Sequence, residues 1–227
     1  MNSTIKKSLF VIALLLICNF LRVSAQITPN TIGANLFCQG SDLTFPAPAA
    51  GQNWIVRFSA TSTTMPSTVI TLDNGNKIPA ASLQSGYYYL STQATAAGSC
   101  ESEMQEIPVY VLRPLVPDFT AANFCVETPI AQIGSVINPE ASTSLAYQWY
   151  TVVGTTETVI SGATQKDYTP ASPVVGTTKY RLKVGYDING NKYCAQTVDH
   201  DVTVTAKPSK PTITFGTAQG TATPVTF

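Results

Sequence analysis

A series of cysteine, tryptophan, cysteine, β-rich run and proline segment occurs twice in this chain, and it constrains the fold more than any other feature. The cysteines and tryptophans of the two copies are Cys38, Trp54 and Cys100, and then Cys125, Trp149 and Cys194. A β-rich run ends each copy, at 106–112 and at 201–205, and a segment with prolines follows each run. Because proline cannot donate to a sheet ladder, these segments indicate domain boundaries. The sequence therefore contains an internal repeat of about 90 residues.

Short alternating runs between turn residues predict strands, and no window after the N-terminal segment shows a helical period. The runs lie at 43–45, 54–58 and 86–92 in the first copy and at 146–150 and 178–184 in the second. Asn74-Gly75 and Asn189-Gly190 are hairpin signals, because both residue types tolerate a positive φ. Short strands with frequent turn signals are typical of an all-β sandwich or barrel.

The first 25 residues have the layout of a secretory signal peptide. Lys6 and Lys7 precede an apolar run at 9–17, and Val23-Ser24-Ala25 supplies the small residues that a signal peptidase recognises. The run is short for a bilayer span, which needs about 20 residues, so we expect cleavage and no membrane span in the mature chain. The predicted location is therefore secreted or on the cell surface.

The predicted organisation has four parts. After the signal peptide at 1–25, a first domain covers 26–113 and a second covers 114–206. For residues 207–227 two interpretations stay open, a linker with the first strand of a truncated further repeat, as in a fragment of a longer protein, or a flexible end.

The charge of the mature chain argues against nucleic acid as a partner. Cleavage leaves 10 of the 13 Lys and Arg residues and all 13 Asp and Glu residues, so the net charge is near −3. No basic surplus remains to neutralise phosphates. Charged residues make up only 11% of the chain while 44% are hydrophobic, which is typical of a folded β-protein and not of a disordered one.

The residues of the second copy carry a family resemblance. They are Tyr147-Gln148-Trp149-Tyr150, Ile160-Ser161-Gly162-Ala163-Thr164, Asp167-Tyr168-Thr169-Pro170, Tyr180, Cys194 and Val202-Thr203-Val204. This segment resembles the immunoglobulin-like repeats, relatives of the PKD domain, of large surface proteins of Gram-negative bacteria. The first copy resembles the same family through Cys38-Gln39-Gly40, Trp54 and Ser85-Gly86-Tyr87-Tyr88. The resemblance implies two tandem immunoglobulin-like β-sandwich domains, and it implies no activity.

Four cysteines remain after cleavage, and an even number in an exported chain indicates a disulfide framework. Of the three possible connectivities we expect Cys38–Cys100 and Cys125–Cys194, with no free thiol. Antibody-type domains have a tyrosine two residues before the second cysteine, whereas a glycine and a lysine stand there in this chain. We therefore expect each second cysteine in or after the last hairpin. Each bond would then close one end of its sandwich and contribute about 4 kcal/mol.

No residue set predicts catalysis, a cofactor or a metal. His200 is the single histidine, and strand alternation would place it on the opposite face from Asp199 and Asp201, so we expect a solvated strand residue and no triad. The segments 187–191 and 73–76 resemble part of a calcium loop but lack the closing glutamate, and tight turns are the better interpretation.

The aromatic residues leave two functional hypotheses open. Trp54 and Trp149 are predicted core residues, and alternation would leave some of the rings at 87–89 and 147–150 exposed, where they could stack on sugars. The leading hypothesis is a non-catalytic extracellular module for adhesion, display or spacing. The alternative is an accessory carbohydrate-binding module of a larger exported enzyme. The expected partner is a surface protein or a glycan, and the sequence does not predict the oligomeric state.

Overall fold

The computed structural model describes residues 26–141 and 143–212, and all regular secondary structure in these residues is β-strand. The strands are β1 (Asn35–Cys38), β2 (Leu43–Thr44), β3 (Gln52–Ser59), β4 (Thr68–Ile70), β5 (Lys77–Ile78), β6 (Gly86–Ala94), β7 (Gln105–Leu112), β8 (Val116–Thr120), β9 (Phe124–Cys125), β10 (Ile133–Ile137), β11 (Ser144–Val153), β12 (Thr156–Val159), β13 (Gly176–Ile188) and β14 (Asn191–Thr205). Among the described residues, no helix has the length and hydropathy needed to cross a membrane.

Each half of the chain forms two sheets. The strands of the N-terminal half make a five-stranded sheet in the order β1-β7-β6-β3-β4 and a two-stranded sheet of β2 and β5. Those of the C-terminal half make a five-stranded sheet in the order β12-β11-β13-β14-β9 and a two-stranded sheet of β10 and β8. Paired sheets of short strands are the architecture of immunoglobulin-like sandwiches. The predicted fold class is therefore confirmed.

In both halves, the first strand of the five-stranded sheet pairs in parallel with the last strand of that half. β1 lies beside β7, with Cys38 opposite Leu112. β9 lies beside β14, with Cys125 opposite Thr205. Each of these cysteines therefore faces the final residue of the last strand in its half. We call this location the strand-end position.

The cores follow from strand alternation. Val56, Tyr88 and Val109 are at most 1% exposed and belong to one cluster of the N-terminal half. Trp54 is half-buried and packs against this cluster. In the C-terminal half, Trp149 is completely buried.

The tyrosines on either side of Tyr88 are buried as well, although alternation places them on the other face of β6. Tyr87 and Tyr89 are 6% and 4% exposed, and they form a second cluster with Ile27 near the start of the described chain. The N-terminal segment therefore covers a face that alternation alone would leave open to solvent.

The chain divides into two compact units, and neither is continuous in sequence. Of the described residues, one unit contains 26–117 together with Val136–Tyr147 and Lys183–Thr197, and the other contains Asp118–Ser135, Gln148–Leu182 and 198–212. The domain boundaries expected after residues 113 and 206 stay a prediction.

Candidate functional site

The disulfide of the structure joins Cys38, at the end of β1, to Cys194, near the start of β14. Their Cα atoms are 5.4 Å apart and their sequence separation is 156. Cys194 has a φ of 51°, in the left-handed region that residues with a Cβ rarely adopt. The bond therefore closes a covalent loop that contains most of the described chain.

The expected pairs Cys38–Cys100 and Cys125–Cys194 are wrong, and strand register gives the reason. Cys38 lies opposite the last residue of β7, whereas Cys100 precedes its first residue. The length of β7, about 25 Å, separates them, and a disulfide needs Cα atoms within about 7 Å. Cys125 and Cys194 are separated by about 35 Å along β14. Spacing in the sequence does not show which strand ends are adjacent, so it could not distinguish the connectivities.

Cys100 and Cys125 are therefore free thiols, contrary to the expectation that every cysteine is bonded. The side chain of Cys100 is exposed, and that of Cys125 is half-buried. Cys100 lies in the connection between β6 and β7, and Cys194 lies in the hairpin of β13 and β14. We call this second location the hairpin position.

An ion pair holds the backbone beside Cys100. The Glu101 carboxylate accepts hydrogen bonds from both terminal nitrogens of Arg57, one of them at 2.8 Å, and from the Ser91 hydroxyl. Arg57 first, and then Ser91, lower the pKa of Glu101 to about 2. Glu101 also forms a β-bridge with Gln93 of β6. The neighbouring thiol is thus presented from an ordered hairpin.

A buried carboxylate fixes the segment that follows β7. The side chain of Glu140 is 8% exposed and accepts hydrogen bonds from the Tyr110 hydroxyl and the Arg113 amide, both at 3.2 Å. The guanidinium of Arg113 lies 3.4 Å from the same carboxylate. The hydroxyl of Tyr186 lies 3.1 Å from the Arg113 carbonyl. Burial, followed by the charge of Glu140, raises the pKa of both tyrosines.

This network changes the interpretation of the proline-bearing segment at 113–117. Both backbone groups of Arg113 are hydrogen-bonded, Leu115 is 3% exposed and Pro117 is buried. A flexible linker would leave such groups to water. Prolines show where a strand ends, but the charge that fixes the segment is 27 positions away at Glu140, where no local signal identifies it.

The single histidine, His200, pairs with Asp118 and not with either of the aspartates next to it in sequence. Nε2 of His200 lies 2.7 Å from Oδ1 of Asp118, and this contact lowers the pKa of Asp118. Asp199 instead binds Arg181 at 2.6 Å, which agrees with the predicted alternation. The His200 side chain is 39% exposed and contacts the edge of Phe119. The imidazole is thus held by one carboxylate and one aromatic ring.

A row of contacting aromatic rings runs from His200 into the core. Ring centroids are 4.7 Å apart for His200 and Phe119, 4.8 Å for Phe119 and Trp149, 5.6 Å for Trp149 and Tyr168, and 5.8 Å for Tyr168 and Tyr180. The indole nitrogen of Trp149 donates to the Gln165 carbonyl at 3.0 Å. Tilted and edge-on contacts of this kind are those that aromatic packing favours. The rings therefore belong to a core and not to a binding face.

The two segments with a partial calcium-loop pattern are tight turns in the structure. In the first, the Gly190 amide donates to the Asp187 carboxylate at 3.1 Å, and Asn189 and Gly190 have positive φ. In the second, the Asn76 amide donates to the Asp73 carbonyl at 3.1 Å. Within residues 26–141 and 143–212, no group of three His, Cys, Asp or Glu side chains could hold a metal ion.

Aromatic side chains give no support to a sugar-stacking surface. Every Phe, Trp and Tyr side chain in the described part of the chain is buried or half-buried. Sugar stacking needs a ring face open to solvent. No ring among the described residues is therefore fully exposed for a sugar to stack on.

No protein-family model matches the chain, and no curated protein matches it. Among solved structures, it is similar to the fibronectin(III)-like modules of Clostridium thermocellum CbhA, with 14% identity and a TM-score of 0.37 over 82% of this chain and 97% of that one. It is also similar to extracellular domains 3–5 of Drosophila OTK, with 12% identity and a TM-score of 0.42 over 77% of this chain. It spans 59% of that OTK chain. The amphioxus IgVJ-C2 molecule is 16% identical, with a TM-score of 0.31 over 74% of this chain and 99% of that one.

Proposed function

We propose that this chain is a non-catalytic extracellular spacer that carries tension along a surface protein. The Cys38–Cys194 disulfide supports this function most directly. Tension applied to the two ends of the chain enters at Cys38, crosses the sulfur–sulfur bond and leaves at Cys194. The residues between the two cysteines form a closed covalent loop, and they carry no load while the bond is intact.

The disulfide keeps a long segment of the chain from extending. The cysteines are 156 positions apart, and an extended chain spans at most about 3.3–3.6 Å per residue, so the bond hides about 500 Å of extension. Residues 26–38 and 194–212 lie outside the loop and together supply only about 100 Å. A spacer needs this property, because its length must not change when it is pulled.

Strand pairing supplies a second resistance within each half. β1 runs parallel to β7, and β9 runs parallel to β14. When the first and last strands of a half are pulled in opposite directions, parallel pairing loads all the hydrogen bonds between them in shear, so they must break together. With the disulfide intact, the load still passes along β1 up to Cys38 and along β14 from Cys194, so pairing of these two strands resists it. Reduction of the bond also loads the strands inside the loop.

One feature of the sequence and one of the structure support an extracellular location. Residues 1–25 have the layout of a signal peptide, and structural disulfides persist in oxidising compartments and are rare in the cytosol. The resemblance to PKD-like repeats of bacterial surface proteins fits the same role. A spacer needs neither a cofactor nor a reacting group.

Single-molecule force spectroscopy tests the proposal. The mature chain is held between two handle domains of known unfolding length and is pulled under oxidising conditions. We expect its unfolding to release at most about 160 Å, since only residues 26–38 and 194–227 lie outside the loop. With dithiothreitol, which reduces the bond to two thiols and is itself oxidised to a cyclic disulfide, the release should increase by about 500 Å.

The free cysteines provide the matched control. Cys38→Ser should release the long extension without reductant, whereas Cys100→Ser should behave like the parent chain. A release of about 500 Å from the oxidised parent would contradict the load path. The carbohydrate alternative would replace the spacer proposal if a glycan array gave saturable binding.

A further inference from the structure

The two free cysteines occupy the same two positions as the bonded pair. Cys125 is at the strand-end position of the C-terminal half, opposite Thr205, as Cys38 is opposite Leu112 in the N-terminal half. Cys100 is at the hairpin position of the N-terminal half. Cys100 lies roughly a dozen positions before the end of β7, and Cys194 lies at a similar separation from the end of β14. Each half therefore carries one cysteine of each kind.

The bonded pair shows how these positions combine. Cys38 of the N-terminal half bonds to Cys194 of the C-terminal half. The structure thus joins a strand-end cysteine to the hairpin cysteine of the half that follows it in sequence. Among the described residues, no further half follows that of Cys125 to supply a hairpin cysteine, and none precedes that of Cys100 to supply a strand-end cysteine. A second copy of the chain can supply a partner of each kind.

We propose that Cys125 of one copy forms a disulfide with Cys100 of a second copy, so that copies join head to tail. The contact is heterologous, because different surfaces of the two copies meet, and it leaves one unused cysteine of each kind at the ends of the product. Further copies can therefore add at either end. The proposal is independent of the load path, since it needs only the two free thiols and their positions.

The exposure of the thiols is compatible with this reaction. Cys100 is exposed and sits beside the Glu101 ion pair, which orders the hairpin. Cys125 is half-buried, as are both cysteines of the existing bond. The oxidant is a small-molecule disulfide such as oxidised glutathione. The Cys100 thiolate attacks it and releases one glutathione, and the Cys125 thiolate then displaces the second glutathione, so two thiols are oxidised and one disulfide is reduced.

Complementary single variants test the proposal. Cys100→Ser retains only the Cys125 thiol, and Cys125→Ser retains only the Cys100 thiol, while the Cys38–Cys194 bond is untouched in both. Each variant is first shown to have the parent's melting curve. Each is then incubated with oxidised and reduced glutathione, alone and as an equimolar mixture, and covalent products are separated by non-reducing electrophoresis.

We expect covalent dimer from the mixture at a level at least tenfold above that from either variant alone. Peptide mapping of a mixture in which one variant is labelled with ¹⁵N should give a Cys100–Cys125 peptide with one labelled and one unlabelled strand. The parent chain should give a ladder of multimers. Equal dimer from Cys125→Ser alone would show symmetric collision of exposed thiols and would overturn the proposal, as would a mixture that remains monomeric.

Discussion

Replacing Trp149 with alanine should be among the most destabilising single changes in the C-terminal half. The side chain is completely buried and contacts the rings of Phe119 and Tyr168. Removing an indole takes about 140 Å² of apolar surface out of the core, worth about 3.5 kcal/mol. The Gln165 carbonyl also loses its donor, at a cost of about 1 kcal/mol. The sum, about 4.5 kcal/mol, lies within the range of 3–5 kcal/mol that is usual for such truncations.

Trp54→Ala is the matched comparison. Its indole nitrogen also donates to a carbonyl, that of Pro46 at 2.7 Å, but the ring is only half-buried. We expect a smaller loss, about 2–3 kcal/mol, because part of the Trp54 ring stays in contact with water in the folded chain. Guanidinium unfolding followed by far-UV circular dichroism, with the disulfide intact, measures both changes. Equal losses, or a loss below about 1 kcal/mol for Trp149→Ala, would refute the reasoning from burial.

Three other changes test separate contacts. The folded pKa of Glu101, about 2, lies below its ordinary value of 4.5, so its ion pair stabilises the fold above pH 5. About 1 kcal/mol of this stability should be lost between pH 5 and pH 2, since solvent screening limits the strength of the ion pair. Arg57→Gln should remove this part of the pH dependence in acid unfolding curves. Gly134→Ala would place a Cβ 2.3 Å from the Lys166 carbonyl oxygen, and its melting temperature should fall sharply, whereas an unchanged value would show that the backbone yields. Glu140→Gln should lower stability by about 1–3 kcal/mol in chemical unfolding, and a neutral result would mean that the buried charge is dispensable.

Periodicity predicted the fold because the features that define it are local. Alternating runs, Asn-Gly turns and strand-ending prolines each reflect the conformational preferences of a few residues. The runs around Trp54 and Trp149 are strands, and Asn189-Gly190 is the turn between β13 and β14. These preferences do not depend on distant partners, so a single sequence contains them.

The contacts that the sequence did not predict join residues that are far apart in sequence. Asp118 is 82 positions from His200, and Glu140 is 27 positions from Arg113. Neither aspartate beside His200 is its partner, because alternation directs their side chains to the other face. Such pairs follow from which strands lie side by side, and a one-residue change of register would replace them.

The free energy of unfolding and the covalent connection between Cys38 and Cys194 are two properties that substitutions can change independently. A bond from the strand-end position of one half to the hairpin position of the next does not brace a single sandwich, so each half depends on its own core for its packing. Trp149→Ala should therefore lower the free energy of unfolding and leave the Cys38–Cys194 bond intact. Cys38→Ser should remove that bond and leave the buried rings in contact. If the proposed spacer role holds, Trp149→Ala should not change the extension released by the oxidised chain; a longer release would mean that tension passes through the cores.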